Sequence, residues 1–421
     1  MKQFKNIMML AVLSVAISVV DGYGAFYASA QRAAAEDKIF VGHLVDFTGP
    51  TAFVGKYYGP GVSDSLNYII KQGGPVGKAI EFESVDYSYK VPQAIAQYKK
   101  WRANKDMTAL QGWGTGDTEA LIGFVAKDGV PTYSASYSGH LTDPTGKNPA
   151  TKKPAPYNFF YGPSYSDGCR ALVQWAREDW EKSGDGGKPQ FVHVGDNHPY
   201  PEAPRKACAE YAAELGFEVL APVVVSMKPG DFKAQCLTIK ENGSDYTYVA
   251  NLGPSVVSLL KSCATVGVET KFIANVWAGD KLTLESAGAG AEYHFVAATP
   301  FWEDDSPGMQ FVKKIAGDDS FRTHHYIRGV CSAFYMKEAM EWALENEGEI
   351  TGEAIKKGMY ARQDWTPKGL EGVCIPSTWT AEDHRGTMRV NIYHGVNNDG
   401  NIAITKAGET TLPRREEWLG Y

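Results

Sequence analysis

The sequence predicts an α/β protein of two doubly wound, Rossmann-like lobes, each with a parallel central sheet, joined by a hinge of several chain segments. From residue 39 to about residue 316, short apolar runs alternate with amphipathic segments, the pattern of parallel strands with crossover helices on both faces. The alternation forms two blocks, separated by a loop rich in Pro, Lys and Thr at residues 142–154. A long helical pattern and a strand-rich tail at residues 369–406 follow, so we expect the chain to cross between the lobes more than twice.

The predicted strands are short runs of apolar and β-branched residues bounded by turn residues. They lie at residues 39–45, 80–85, 107–110, 131–135, 191–194, 219–225, 246–252, 272–276 and 295–299. The helix predicted over residues 255–266 represents the segments between them, because its apolar residues recur at i, i+3, i+4 and i+7. Its buried stripe comprises Val256, Leu259, Leu260 and Cys263. A longer helix is predicted over residues 325–345, with one face formed by Ile327, Val330, Cys331 and Phe334.

We expect the chain to divide into three parts. Residues 1–30 form a signal peptide, residues 38–157 with about 296–350 form an N-terminal lobe, and residues 158–295 with about 351–421 form a C-terminal lobe. The length of 421 residues suits two or three domains, at roughly 150 residues per domain, and excludes a single small module.

The composition excludes several classes of protein. Hydrophobic residues make up 43% of the chain and charged residues 22%, which is the balance of a globular protein and not of a disordered one. The net charge of −7 offers no basic surface to a phosphate backbone, so we expect no nucleic-acid partner. The 10 Trp, 23 Tyr and 18 Phe supply many side chains that can wall a binding pocket.

The first thirty residues predict export. Lys2 and Lys5 precede an uncharged apolar run at residues 7–20, and residues 28–30 (ASA) are small enough for signal peptidase. The run is shorter than the roughly 20 residues that span a bilayer, although an uncleaved membrane anchor is the alternative. No Cys precedes Cys169, which excludes lipid attachment at the signal junction. We therefore expect a soluble, exported protein.

Six cysteines lie at positions 169, 208, 236, 263, 331 and 374, without a C-x-x-C pair, which argues against structural zinc or thioredoxin chemistry. In an oxidising compartment this even number permits up to three disulfides. Cys236 and Cys263 lie on neighbouring predicted helices, and we expect them to form one bridge. Buried, unpaired thiols are the alternative.

The sequence carries no catalytic signature. It contains no H-E-x-x-H, G-x-S-x-G or Walker A motif, and residues 112–116 (GWGTG) lack the third Gly of a dinucleotide loop. His324 and His325 are adjacent and would point about 100° apart on a helix, so a solvated helix start is a better interpretation than a metal pair. We expect no enzymatic activity, no catalytic residue, no metal and no cofactor.

Three polar loops follow predicted strands of the first block, at residues 46–58, 111–118 and 134–138, where open α/β sheets bind their ligands. Hydroxyls and unhindered backbone N–H groups at helix starts are suited to a carboxylate, and aromatic rings can wall an apolar or cationic ligand. The candidate ligand-binding residues are Tyr57, Trp113, Gly114, Thr115, Ser134, Ser136, Tyr137 and Ser138. The alternative is that Thr115 only caps a helix and that the serines only satisfy a turn.

Four segments, taken in order, resemble one family. They are residues 42–50 (GHLVDFTGP), residues 73–77 (GGPVG), residues 130–136 (VPTYSAS) and residues 379–385 (WTAEDHR). The chain is similar to the leucine/isoleucine/valine-type (type I) periplasmic binding proteins of ABC importers over nearly the whole mature length.

The resemblance implies two lobes, a three-strand hinge and a small ligand bound between the lobes. In the family the first lobe grips a carboxylate through loops matching Gly114, Thr115 and residues 134–138, and the second lobe closes with an aromatic residue matching Tyr165. A further contact comes from the loop matching residues 276–280, where amino-acid binders commonly place an acidic group. Here Trp277 takes the pocket-facing position, and Asp280 is the acidic residue of the loop.

The resemblance further implies a monomer that captures an amino-acid-like or carboxylate ligand and delivers it to an ABC permease in the inner membrane. An aromatic acid, an amide or a urea-like ligand stays open, because of Trp277. A ligand-sensing protein on the same fold is the alternative function, and an exported enzyme that uses the cleft is a third.

Overall fold

The computed structural model describes residues 38–421, so the predicted signal peptide at residues 1–30 lies outside the described residues. The strands are Ile39–Val45 (β1), Ile80–Asp86 (β2), Met107–Gly112 (β3), Thr132–Ser134 (β4), Asn158–Phe160 (β5), Gln190–Gly195 (β6), Glu218–Val219 (β7), Val223–Val224 (β8), Tyr246–Val249 (β9), Lys271–Ala274 (β10), Glu292–Ala297 (β11), Arg389–Asn398 (β12) and Asn401–Thr411 (β13). The helices are Ala52–Lys71 (α1), Val91–Asn104 (α2), Thr115–Asp128 (α3), Tyr165–Ser183 (α4), Pro199–Glu202 (α5), Arg205–Glu214 (α6), Lys233–Glu241 (α7), Gly253–Val266 (α8), Lys281–Ala287 (α9), Pro307–Ala316 (α10), His324–Glu347 (α11) and Gly352–Tyr360 (α12). Within these described residues, no helix combines the length and the apolar character needed to cross a lipid bilayer.

The first sheet is parallel, as predicted, and its five strands lie in the order β2-β1-β3-β4-β5. Strand β5 was not among the predicted strands. The sheet's central strand β1 reads IFVGHLV, and all seven residues are buried. A strand covered by helices on both faces shows such a continuous apolar run. Because all five strands are parallel, their carboxyl ends lie at the same edge of the sheet.

The second sheet has the strand order β13-β12-β11-β10-β9-β6-β7, with β8 also paired to β6. Strands β6 to β11 pair in parallel, but β12 runs antiparallel to both β11 and β13. Asp399 and Gly400, at φ of 51° and 92°, form the turn between β12 and β13. Two residues at positive φ favour a tight hairpin. The prediction of a parallel sheet is therefore wrong at this edge, and the second sheet is mixed.

The two helices analysed in the sequence are confirmed. Helix α8 covers the predicted residues 255–266, and helix α11 covers the predicted residues 325–345. The interpretation of His324 and His325 as a solvated helix start is wrong, because their exposed fractions are 1% and 0%. The first turn of α11 is packed against other rings, with His324 stacked on Phe301 and His325 beside Trp277.

Two predicted strand regions are shorter than expected. The run at residues 219–225 is interrupted and forms parts of β7 and β8. In the tail, the strands begin only at Arg389, and residues 369–388 form turns and irregular structure.

Three segments of chain connect the elements of the two sheets, at residues 161–164, 298–306 and 361–388. One hydroxyl joins all three, because Tyr161 OH donates to Ala298 O and accepts from Ile375 N at 2.8 Å. Tyr161 is 2% exposed, so these hydrogen bonds are shielded from water.

The lobe boundaries predicted from the sequence stay a proposal, and the packing moves two of them. Strand β5 pairs with β4 and completes the first sheet, so we propose that the first lobe extends through Phe160 instead of ending at residue 157. Helix α12 packs on α11, which itself packs on α1. We therefore propose that α12 also belongs to the first lobe, and that the second lobe resumes near Arg389.

Three disulfides are present among the described residues: Cys169–Cys208, Cys236–Cys263 and Cys331–Cys374. The predicted Cys236–Cys263 bridge is confirmed. It joins α7 to α8, the two neighbouring helices on which the sequence placed these cysteines.

Candidate functional site

A cavity of about 30 Å³ lies where strands of both sheets end. One wall follows strands β1 to β5 of the first sheet, and the other follows β6, β9 and β10 of the second sheet. The lining residues are Thr51, Val54, Tyr89, Trp113, Gly114, Thr115, Ala135, Tyr165, Tyr200, Leu252 and Trp277. Both sheets thus contribute to one site, at the edge where open α/β sheets bind their ligands.

Four helices begin at the cavity. Thr51, Gly114 and Leu252 are the N-cap residues of α1, α3 and α8, and Tyr165 is the first residue of α4. The N-terminus of a helix carries a partial positive charge and unpaired backbone N–H groups. This convergence favours a ligand with a negatively charged group.

Five of the lining residues are aromatic: Tyr89, Trp113, Tyr165, Tyr200 and Trp277. Trp277 Nε1 donates to Tyr165 OH at 2.8 Å, and Trp113 Nε1 donates to Thr51 Oγ1 at 2.8 Å. The rings of Tyr165 and Tyr200 meet edge to face with centroids 5.2 Å apart. Because the indole N–H groups are used inside the wall, the wall offers mainly apolar surface to a ligand.

The turn that carries Tyr89, one of the five aromatic lining residues, has a strained backbone. Ser88 and Tyr89 have φ values of 52° and 57°, in the left-handed region that residues with a side chain rarely adopt. Such strain costs on the order of 1–3 kcal/mol per residue and persists only where the surroundings enforce it. This turn conformation places Tyr89 beside the cavity.

Two threonine hydroxyls lie in the wall. Thr115 Oγ1 is 2.9 Å from Ser136 Oγ, and either atom can be the donor. Thr51 Oγ1 donates to Asp46 at 2.6 Å while accepting from Trp113. The Thr51 hydroxyl is thus already committed, whereas Thr115 can turn its hydrogen toward a ligand while accepting from Ser136.

No lining residue is acidic or basic. The nearest buried carboxylates are held by donors of their own. Asp46 accepts from the backbone N of Gly49 and of Thr51, and Asp117 accepts from Tyr87 OH at 2.7 Å and from the backbone N of Gly114 at 3.2 Å. Burial raises the pKa of Asp117 to about 7. A ligand ammonium group therefore finds no carboxylate in the wall.

The structure brings five of the eleven candidate residues to the cavity: Trp113, Gly114, Thr115, Tyr165 and Trp277. Six lie outside its lining: Tyr57, Ser134, Ser136, Tyr137, Ser138 and Asp280. For these six a direct ligand contact stays a prediction from the sequence.

The hydrogen bonds of the serines explain their positions. Ser134 donates to the backbone O of Ser136, and Ser138 donates to Glu119, so both satisfy local polar groups. Ser136 is one hydrogen bond away from the cavity, through Thr115. This arrangement fits the alternative in which Ser134 and Ser138 support a turn.

The other three lie behind or beside the wall. Tyr137 packs against Trp277 with centroids 5.3 Å apart, and Tyr57 is partly exposed on α1. Asp280 is the N-cap of α9, where it accepts from the backbone N of Thr283 at 2.9 Å, and burial raises its pKa. Asp280, the acidic residue of the loop at residues 276–280, therefore stabilises the start of helix α9.

Sequence reasoning missed six lining residues: Thr51, Val54, Tyr89, Ala135, Tyr200 and Leu252. Thr51, Val54 and Ala135 lie inside loops that the sequence analysis singled out, and Tyr200 and Leu252 come at or just after the ends of predicted strands. The rule that ligands bind at strand ends could have found those five. Tyr89 comes four residues after the predicted strand at residues 80–85, so the same rule could have found it, although the strained turn is what places its ring at the cavity.

The two-sheet architecture and the shared cavity define a two-lobed binding-protein fold. A family model described as periplasmic binding protein matches residues 38–401, and the chain belongs to that family. No curated protein sequence matches the chain.

Solved structures are similar in fold. An ABC transporter substrate-binding protein from Aeropyrum pernix has a TM-score of 0.78 and 24% identity, covering 91% of this chain and 98% of its own. A branched-chain amino acid ABC transporter from Thermus thermophilus with bound valine has a TM-score of 0.75 and 19% identity, with 89% and 97% covered. A solute-binding protein of an ABC transporter from R. palustris in complex with benzoate has a TM-score of 0.71 and 17% identity, with 91% and 99% covered.

Proposed function

We propose that this protein is the extracytoplasmic solute-binding component of an ABC import system. It captures a small amino-acid-like or carboxylate ligand between its two lobes and delivers the ligand, chemically unchanged, to a permease of the inner membrane. The observation that carries the proposal is one cavity whose wall is divided between two sheets. The family membership supports it.

The divided wall implies a mechanism of closure. Each lobe supplies only part of the contacts, so a ligand binds weakly to an open form and is enclosed in a closed one. Binding then shifts the population toward closure, and a permease can read the orientation of the lobes. No acid or base lines the cavity, which agrees with a protein that performs no reaction on its ligand.

The ligand class follows from the wall. Four helix N-termini and the Thr115 hydroxyl suit a carboxylate, and the aromatic residues suit an apolar body. The neighbours with bound valine and bound benzoate support this combination of a carboxylate and an apolar group. We propose that the protein acts as a monomer in the periplasm, after removal of residues 1–30.

The test is a thermal-shift screen of the mature protein against valine, phenylalanine, benzoate, octanoate, benzamide and urea. A ligand at one hundred times its Kd should stabilise the protein by about 2.7 kcal/mol. The best ligand is then added during small-angle X-ray scattering. We expect the radius of gyration to fall, and an unchanged radius with a raised Tm would exclude closure. No shift with any compound would count against solute capture, and a shift with benzamide or urea alone would favour the alternative of an amide or urea sensor.

A further inference from the structure

Arg328 is a buried cation that has no acidic partner in the part of the chain that the structure describes. It lies in the second turn of α11 and is 0% exposed. Its Nη1 donates to Val276 O at 3.0 Å, while its Nε and Nη2 have no hydrogen-bond partner. Across residues 38–421, no carboxylate oxygen lies within 4.0 Å of its guanidinium. A protein interior seldom keeps a charge in this state, because desolvation is costly unless the charge is paired.

The Arg328 guanidinium stacks on Trp277, which lines the cavity. Its Cζ lies 3.8 Å from the ring centroid of Trp277 and 4.8 Å from that of Tyr137. Trp277 lines the cavity, whereas Arg328 and Tyr137 do not. Trp277 is therefore in contact with both the cavity and the positive charge.

The neighbouring side chains leave this charge uncompensated. Burial lowers the pKa of His324 and of His325 well below the ordinary value, so both rings are neutral. Asp280 faces His325 Nε2 at 3.4 Å and caps α9, and it makes no contact with Arg328. Asp46 and Asp117 are each held by backbone and hydroxyl donors on the opposite wall.

A wall of five aromatic rings would by itself attract a cation. In this protein the Arg328 guanidinium already lies over the Trp277 ring. It would repel a second positive charge in the cavity, because the surroundings have low polarity and screen the charges little. Building on the proposed function, we propose that Arg328 selects ligands by charge, so that the protein takes monocarboxylates without an ammonium group and disfavours amino acids. Arg328 is thus a positioning residue that acts through Trp277.

The test compares ligands that differ only by an amino group, 3-methylbutanoate with valine and 3-phenylpropanoate with phenylalanine, by isothermal titration at pH 7. We expect the wild-type protein to bind each carboxylate at least tenfold more tightly than its amino acid. Arg328→Met should reduce this ratio tenfold or more, and Arg328→Lys, which keeps the charge, should retain most of it. Met fills a similar volume without a charge, so the variant is expected to fold.

Arg322→Met is the matched control. Arg322 also stacks on rings, with Trp302 and Tyr326 at 5.3 and 5.0 Å, but it lies outside the cavity lining. We expect this variant to keep the wild-type ratio. A merely structural role of Arg328 would weaken all four ligands equally and leave the ratio unchanged, which would overturn the inference.

The wild-type measurement can overturn the inference even without a folded variant. Tighter binding of valine or phenylalanine than of its carboxylate partner overturns the role of Arg328 and leaves the solute-binding function intact. Failure of both carboxylates to bind also overturns it. Failure of every compound in this series and in the thermal-shift screen overturns the proposed function itself.

Discussion

Replacing Tyr161 with Phe should lower the free energy of unfolding by about 2–6 kcal/mol. The substitution keeps the ring and removes one hydroxyl, which joins the three segments that connect the two sheets. It leaves Ala298 O without its donor and Ile375 N without its acceptor. A buried polar group that loses its partner costs about 1–3 kcal/mol, and two such groups give the total.

Tyr133→Phe is the matched control. Tyr133 is also a buried tyrosine, at 2% exposure, but its hydroxyl has no hydrogen-bond partner among residues 38–421. Removing that hydroxyl should leave the free energy of unfolding within about 0.5 kcal/mol of the wild-type value, or raise it.

The assay is equilibrium unfolding in urea at pH 7, followed by both fluorescence and circular dichroism. We expect the unfolding midpoint of Tyr161→Phe to fall while that of Tyr133→Phe stays near wild type. Equal midpoints for the two variants would refute the argument that Tyr161 joins the connecting segments energetically.

Three further predictions concern the wall, a disulfide and a buried acid. Thr115→Val keeps the shape of the side chain and removes its hydroxyl. Affinity for the carboxylate that gives the largest thermal shift should therefore fall about tenfold, measured by titration calorimetry. Unchanged affinity would remove Thr115 from the site. Replacing Cys236 and Cys263 together with Ser opens a loop with a sequence separation of 27, which should cost about 3.5 kcal/mol in urea unfolding; a loss under 1 kcal/mol would contradict the loop-entropy argument. Burial raises the pKa of Asp117 from 3.8 to about 7, so between these values the folded protein binds more protons than the unfolded chain, and the contribution of Asp117 to stability falls as pH rises. The stability of Asp117→Asn minus that of wild type should therefore increase between pH 4 and pH 7.5, and a constant difference would be the contrary result.

Much of the fold could be predicted because its signals are local. The alternation of apolar runs and amphipathic segments predicted four of the five strands of the first sheet but missed the three-residue strand β5, and the stripe in residues 255–266 predicted α8. The antiparallel edge of the second sheet was missed, although Asp399 and Gly400 are a recognised hairpin turn. Here the parallel pattern of the preceding strands was extended to a region where the turn chemistry had changed.

The candidate site could be predicted in part for the same reason. Trp113, Gly114 and Thr115 follow a strand and open a helix, and both features can be read locally. Tyr89 was missed because the loop after the predicted strand at residues 80–85 was not among the three selected loops, and nothing local in the sequence indicated the strained turn that places its ring at the cavity. Asp280 caps its own helix and lies outside the cavity lining, a position that depends on local geometry at α9, and its contact with a ligand stays a prediction.

The amino-acid sequence alone determined the class of this protein: an alternating α/β chain with polar loops at its strand ends and a resemblance to type I binding proteins. Only the tertiary structure decided which side chains share the cavity and where an unpaired charge lies behind it. Arg328 bonds to Val276, 52 residues away, and stacks on Tyr137, which is still more distant in the sequence. Periodicity records which face of an element is buried, but contacts between distant segments depend on how whole elements pack.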